Sequence, residues 1–531
     1  MDRTSINYSI GIVLFLLIAI NFPGLTESSE ARYAEIGMEM YKSGDVIHPR
    51  LLGILHFHKP PLTYVITSLG YQIFGVNEFG ARFFLVLAVA IQMYLVYQIA
   101  WELYRNISLS RLAIVIYASL PLVLISVLNL TTDAYLNTFV LGSIYCYLRH
   151  FTNKKKIYHY LIALLLALGV LTKGPVAFLP FLIFVTLHKY YSKSSWKIGF
   201  HEIAATIFCL LLATSWFALI ISEKPELWTY FINHHIKDRV MNAEVFHREE
   251  NFWYYLAFIP LLCFPFFYII TYQFFTSKDK SARPDKIITW TIILNLFAFS
   301  CFSSKLILYL LPSAPFVAIM AAKILTYGSN KLHRFTKNII LVEFFTIGFS
   351  GCIYLFLNSF YLLSSVLVLV LVAILAWNSR TKAVFTITTG NIGLMMLLVY
   401  LFVSFGFNKP SAIHSYKNIF EEAEKSFPNS STLLVYDQLI PSARIYTNKN
   451  VITIHNKNFR SNRETQFEPG EMAANYLDIA NTKQVENLKQ KLANPETILM
   501  IKQKDLESLP VDLGEYKPKK TKIGEWYFYS N

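Results

Sequence analysis

Charged, phenolic and imidazole side chains cluster in five stretches of an otherwise apolar chain. The segment from Leu25 to Tyr64 carries Glu27, Glu30, Arg32, Tyr33, His56, His58 and Lys59. Asp133 stands in "LNLTTDAYLN", Lys173 in "LTKGPVAF", and Lys305 with Tyr309 in "FSSKLILYLLPSAP". A fifth stretch, "FINHHIKDRVMNAEVFHREENFWYY", holds His234, His235, Arg239, His247 and Arg248. Arg and Lys suit phosphate oxygens, and a Tyr hydroxyl adds a donor without adding charge. Several cations converging on one place repel unless an anion joins them, and a phosphate-bearing lipid supplies that anion. Glu27, Glu30 and Asp133 could act as a base toward an acceptor hydroxyl. Alternatively they hold the arginines in place as ion-pair partners. The histidines have no HExxH spacing, so a metal at His58 or His235 is a weaker expectation than a metal-free site. Any one of these positions alone also fits a bland role, a side chain snorkelling to the interface or capping a helix. Lys173 is the exception, because Lys-Gly-Pro interrupts an apolar run and leaves non-helical backbone at membrane depth.

The elements that position these residues are membrane helices. Of 531 residues, 54% are hydrophobic and only 15% charged, whereas a soluble globular chain carries about 25% charged residues. Apolar runs lie near 7–23, 81–101, 110–128, 134–151, 157–171, 175–190, 200–222, 252–275, 287–302, 306–326, 338–357, 360–377 and 383–407. Most have the length needed to cross a bilayer, the two that flank Lys173 being short for it, and together they give about 13 spans. The first has no small-x-small cleavage site after it and reads as a retained helix. Basic loops recur at every second connection, among them "YRNISLSR", "RHFTNKKK", "SKDKSARPDK" and "SNKLHRFTK". By the positive-inside rule these loops and the N-terminus are cytoplasmic, and the C-terminal region lies outside. The five polar stretches then fall on the same outer face. The net charge of +14 is dispersed among loops and is a topology signal, which excludes a nucleic-acid role.

After Phe407 the composition changes. "STLLVYD", "NVITIHN", "TILMIKQ" and "EWYFYS" have strand character, and "KNIFEEAEKSF" and "TKQVENLKQKLA" helical spacing. The expected organisation is a membrane domain over 1–407, with 24–80 as its first outer loop, and a small α/β domain over 408–531. The five cysteines lie in apolar segments and read as buried small hydrophobes, without a disulfide framework.

Taken together, "ESSEARYAEIGMEMYKSGDVIHPRLLGILHFHKPPLTY", "LTKGP", "HHIKDR…FHREENFWYY" and "SSKLILYLLP" resemble the bacterial branch of the protein O-mannosyltransferase superfamily, including the lipid A aminoarabinose transferases. The resemblance implies a polytopic enzyme of the GT-C fold with a periplasmic active site, located in the inner membrane. Its partners would be a polyprenyl monophosphate sugar donor, a lipid or protein acceptor and the surrounding membrane lipids, and it would require no cofactor. It implies carrier-phosphate contacts from Arg32, Tyr33, Lys59, Lys173, Arg239, Lys305 and Tyr309, with Glu30, Asp133 or Glu27 as the acid and His58, His235, His247 and Arg248 lining the site. In such enzymes the first outer loop forms helices on the membrane. Two departures matter: Ser29-Glu30 stands where the family commonly has Asp-Glu, and His58 stands where the aminoarabinose enzymes have an acid. A flippase for an anionic polyprenyl-linked lipid would also need cations inside a bundle, but their grouping at one face disfavours it.

Overall fold

A computed structural model describes residues 1–27, 29–195, 198–232, 250–276, 282–357, 414–447, 449–456, 475–509 and 516–531, with further positions within 361–376 and at 466–467. The chain divides into two compact units. One comprises 1–20, 85–128 and 132–405; the other comprises 21–84, 129–131 and 406–531. This grouping differs from the expected one, because the opening loop joins the C-terminal residues.

The first unit is helical. Arg3–Ala19 starts at Asp2, whose carboxylate accepts from the Ser5 backbone, a side-chain N-cap. Among the described residues three helices are long and apolar enough to cross a membrane: Glu78–Tyr104, Phe200–Glu223 and Ile307–Tyr327. Two expected spans are not straight. The 110–128 run is bent by 56° where Ile107–Ser119 gives way to Pro121–Leu128, and the 252–275 run turns through 105° between Tyr254–Leu262 and Phe266–Thr276. Each break contains a proline, Pro121 or Pro265, which lacks a backbone donor and crowds the preceding turn. A hydropathy window registers composition and passes over both bends. The last two expected spans, 360–377 and 383–407, lie mostly or wholly outside the described residues. The expected Lys-Gly-Pro interruption is present: Ile157–Lys173 ends at Gly174, whose φ of 90° suits glycine, and a 3-10 turn over Pro175–Ala177 leads into Phe178–Tyr191. Four cysteines are buried as expected, while Cys301 is exposed because it caps the end of the Arg283–Ser300 helix.

The second unit contains two helices of the opening loop, Glu30–Ser43 and Leu62–Phe74, which pack on each other. Between them a two-residue hairpin pairs β1 (Arg50–Leu51) with β2 (Ile54–Leu55). Its turn places both Leu52 (φ 53°) and Gly53 (φ 86°) in the left-handed region, a conformation uncommon for leucine. Carboxylates stabilise it, since Glu35 accepts from the Leu52 backbone at 3.0 Å and Glu39 from Gly53 at 2.6 Å.

The same unit holds a six-stranded mixed sheet of β3 (Thr432–Tyr436), β4 (Asn450–His455), β5 (Tyr476–Asp478), β6 (Thr497–Lys502), β7 (Lys519–Ile523) and β8 (Trp526–Ser530). Its spatial order is β5-β4-β3-β6-β8-β7, with β3, β4, β5 and β6 parallel and β7 and β8 antiparallel. The expected strands appear as β3, β4, β6 and β8, and the expected helices as Lys417–Ser426 and Thr482–Ala493. The sequence pattern missed β5 and β7, the two edges. β7 reads "KKTKI", a charged strand of the kind that blocks pairing with another chain. Core residues on the two faces include Phe420, Val435, Met500 and Trp526 on one, and Leu434, Ile452, Leu488 and Leu499 on the other.

Candidate active site

In the first unit, three of the residues singled out from sequence meet. Asp133 lies in the first turn of the Thr132–Asn153 helix, and Lys173 is the last residue of Ile157–Lys173. The Lys173 ammonium donates to Asp133 Oδ1 at 2.5 Å, with both side chains 7% exposed. It also lies 3.9 Å from the centroid of the Tyr309 ring, on the 3-10 turn Ile307–Ser313. The ring face adds to the attraction that the carboxylate supplies. Two residues before that turn, the buried Lys305 ammonium donates to the Glu250 carbonyl at 2.6 Å. The Tyr255 hydroxyl donates to the Leu306 carbonyl, fixing the strand-like approach to the turn. Broken backbone is therefore stitched to neighbouring helices where the cations sit.

In the second unit, Glu30 opens the Glu30–Ser43 helix and is fully buried. Its partner is Arg82, also fully buried, which donates from Nε at 2.6 Å to Oε1 and from Nη2 at 2.8 Å to Oε2. The backbone amides of Thr26 and Leu130 donate to the same carboxylate, at 2.9 and 3.0 Å. Arg82 in turn donates to the carbonyls of Pro23 and Gly24. Glu30 thus accepts four hydrogen bonds, about the capacity of a carboxylate.

Arg32 and Tyr33 follow on the same helix, half-buried, and the Tyr33 ring stacks on Tyr64 with centroids 5.4 Å apart. Tyr64 sits in the first turn of Leu62–Phe74, just after Lys59-Pro60-Pro61, so the stack ties the helix of Arg32 to the segment of Lys59. Lys59 itself is half-buried. His58 is buried, edge-on to His56 at 4.5 Å and near Phe467 at 5.3 Å. Glu27 accepts from the Ser442 backbone at 3.2 Å. Burial pushes the Glu27 carboxyl up to about 7, against the hydrogen bonding of Ser442 and the charge of Arg32.

Several residues escaped the sequence reading. Arg444 bridges Glu35, at 3.2 Å, and Glu39. Burial and then the neighbouring Glu39 charge push the Glu35 carboxyl up, with Arg444 opposing. The Tyr446 hydroxyl accepts from the Leu25 backbone and donates to Glu78, which also pairs with Lys417 at 2.7 Å. Arg82 had a readable signal, an arginine inside the apolar run "FGARFFLVLAVA". Arg444 had none, since an arginine in a polar domain is ordinary. Arg239, His235, His247 and Arg248 lie outside the described residues. Among those residues no metal-like group of three forms at His58; the group that does form is His150, His159 and Glu202.

Comparison with known proteins supports the resemblance drawn from the motifs. Residues 58–231 match the family model described as dolichyl-phosphate-mannose-protein mannosyltransferase. Over 327 residues the chain is 30% identical to the undecaprenyl phosphate-alpha-4-amino-4-deoxy-L-arabinose arabinosyl transferase of Yersinia enterocolitica, covering 60% of this chain and 59% of that protein. An uncharacterized protein of Aquifex aeolicus is 28% identical over 342 residues, 64% of this chain and 66% of that one. The chain thus matches less than two thirds of the length of these curated relatives. In fold the likeness is complete: ArnT from Cupriavidus metallidurans bound to undecaprenyl phosphate aligns with a TM-score of 0.79 at 17% identity, over 100% of this chain and 98% of that one. The apo form of the same protein gives 0.76 at 16% identity, over 99% and 97%. The chain has the fold of that membrane protein, a helical part followed by a C-terminal sheet region.

Proposed function

We propose that this chain is a membrane glycosyltransferase that moves a sugar from a polyprenyl monophosphate carrier to an acceptor on the periplasmic side, with inversion at the anomeric carbon. The acceptor is lipid A, another envelope glycolipid or a protein. The observation that carries this reading is the buried Lys173, held between Asp133 and the Tyr309 ring in a chain whose fold is that of a protein crystallised with undecaprenyl phosphate. With about 13 spans, this reading has the N-terminus in the cytoplasm of a bacterium and the C-terminal domain in the periplasm.

In this reading the bond from the anomeric carbon to the carrier phosphate breaks as the acceptor oxygen attacks from the opposite side. Charge grows on the departing phosphate, and cations already in place stabilise it without reorganising. Lys173, Lys305 and Tyr309 are the candidates in the first unit; Arg32, Tyr33 and Lys59 are those in the second. Arg239 is a further candidate from the resemblance. A base is needed only if the acceptor is a neutral hydroxyl. Glu30 is engaged by four donors and Asp133 by Lys173. Glu27, poised near neutrality, therefore becomes the first choice among the three acids. The mechanism requires no cofactor.

The test is transfer in proteoliposomes. Purified protein is given a radiolabelled polyprenyl-phosphate sugar and an extract of envelope lipids and proteins. Label should move to an acceptor with wild type and not with Lys59→Ala, and the mobility of the product identifies the acceptor class. Label that crosses the bilayer still attached to its carrier would overturn the transferase reading in favour of a flippase.

A further inference from the structure

The His150, His159 and Glu202 cluster is used by nothing described so far, and it lies entirely within the helical unit. His150 is in the last turn of Thr132–Asn153, His159 in the first turn of Ile157–Lys173 and Glu202 in the first turn of Phe200–Glu223. One ligating atom from each lies within 4.8 Å of the others. The two imidazole rings are 4.1 Å apart between centroids, and His159 Nε2 is 3.5 Å from Glu202 Oε1. All three side chains are half-buried.

Chemistry narrows what this arrangement suits. His150 Nδ1 is 3.0 Å from the Lys155 carbonyl, which can only accept, so Nδ1 carries the proton and Nε2 keeps its lone pair. Such an outer hydrogen bond fixes tautomer and ring orientation in metal-ligating histidines. The second carboxylate oxygen of Glu202 accepts from the Gly199 backbone at 3.1 Å, holding that side chain to its own helix. Neutral imidazole is the form that ligates a metal ion. Lys154, Lys155 and Lys156 in the intervening loop are exposed, the Lys154 ammonium 4.6 Å from the Phe151 ring centroid, and the other charged or titratable groups acting on His159 are His201 and Lys189.

We propose that His150, His159 and Glu202 bind one zinc ion. Two imidazoles and a carboxylate match borderline-soft Zn²⁺ better than Mg²⁺ or Ca²⁺, which prefer all-oxygen sites. A modest inward rotation brings the three atoms to bonding distance, and water takes the fourth position. The consequence reaches along the helices. Thr132–Asn153 is 22 residues long, about 33 Å at the helical rise. The site ties its end to the start of Ile157–Lys173, and the opposite ends of the same two helices carry Asp133 and Lys173. Zinc would fix the register of the two helices that form that ion pair. The metal proposal itself does not depend on the proposed transfer activity.

The experiment uses full-length protein in detergent, stripped with a chelator and dialysed against zinc. Elemental analysis should find one zinc per chain, and cobalt(II) in its place should give the visible absorption of a four-coordinate nitrogen and oxygen site. His159→Ala and His150→Ala should each weaken zinc binding at least tenfold, and Glu202→Gln, which keeps size and shape, should weaken it less. Zinc should raise the melting temperature of wild type and not of His159→Ala. No zinc bound at micromolar concentration overturns the proposal. So does zinc that persists in both histidine variants, because it then sits elsewhere.

Discussion

Two buried ion pairs among the described residues, Glu30–Arg82 and Asp133–Lys173, differ in what they are fastened to. Glu30 and Arg82 engage each other and also four backbone groups, the amides of Thr26 and Leu130 and the carbonyls of Pro23 and Gly24. The described partners of Lys173 are side chains, the Asp133 carboxylate and the Tyr309 ring. A charge pair that also satisfies irregular backbone cannot be exchanged for an apolar pair without withdrawing those hydrogen bonds. A cation held by side chains can share itself with an incoming anion without withdrawing a bond from the backbone. The first pair is thus read as architecture and the second as machinery.

The sharpest way to break this comparison is to remove both partners of each pair, since an apolar pair often replaces a buried ion pair without loss. Glu30→Leu with Arg82→Met leaves four backbone groups unsatisfied at about 1–3 kcal/mol each, a loss of about 4 kcal/mol or more. That approaches the whole stability of many domains, so the variant should fail to accumulate as folded protein when followed by size-exclusion chromatography in detergent. Asp133→Leu with Lys173→Met should instead stay folded, within about 1.5 kcal/mol of wild type by thermal melting. Two variants equally unstable would erase the distinction.

Single changes sharpen it through activity. Lys59→Ala removes one half-buried cation, and the melting temperature of the variant separates a loss of transfer from a loss of fold. If Lys59 meets the leaving phosphate, transfer should fall by about 10²–10³, or about 2.7–4 kcal/mol. Lys59→Arg should recover part of this, since it restores the charge. A stable variant with full transfer removes Lys59 from the phosphate. Arg444→Leu tests the second unit from the other side: it leaves buried Glu35 and half-buried Glu39 adjacent without this cation. We expect a loss of about 2–3 kcal/mol of stability, read by melting, with Glu35→Gln in the same chain recovering part of it.

Sequence made the chemistry legible where residue type clashed with surroundings. Lys173 was visible because Lys-Gly-Pro breaks an apolar run, and Asp133 because an acid stands at a membrane helix end; these two proved to be partners. Glu30 was visible, but its partner was not Arg32 next door. It was Arg82, more than fifty positions away, brought in by tertiary folding that local spacing does not encode. Strands β3, β4, β6 and β8 were legible as β-branched and aromatic runs, while β7 was hidden by the lysines that protect an edge. Bends at Pro121 and Pro265 were hidden because hydropathy counts composition and not direction. The grouping of the opening loop with the C-terminal sheet rests on Glu27, Glu35, Glu39 and Glu78 meeting Ser442, Arg444, Tyr446 and Lys417, pairings too distant in sequence to be read from it.

The smallest effect concerns Glu27, a carboxyl between the two kinds of role. Its folded value of about 7 lies above its ordinary 4.5, so the sign is that of an acid penalised by burial. Below pH 4.5 both folded and unfolded chains hold the proton and nothing is lost. As pH rises from 4.5 to about 7 the unfolded chain releases the proton first, so stability falls, and above about 7 the loss is constant. Glu27 keeps partial contact with solvent, which puts the loss at about 1–2 kcal/mol. If Glu27 is also the base, transfer must rise through the same window as the carboxylate forms. Stability and rate would then run in opposite directions with pH, and Glu27→Gln should flatten both slopes. A variant that flattens the melting profile but leaves the rate profile intact would make Glu27 architecture, like Glu30, and return the base to Asp133.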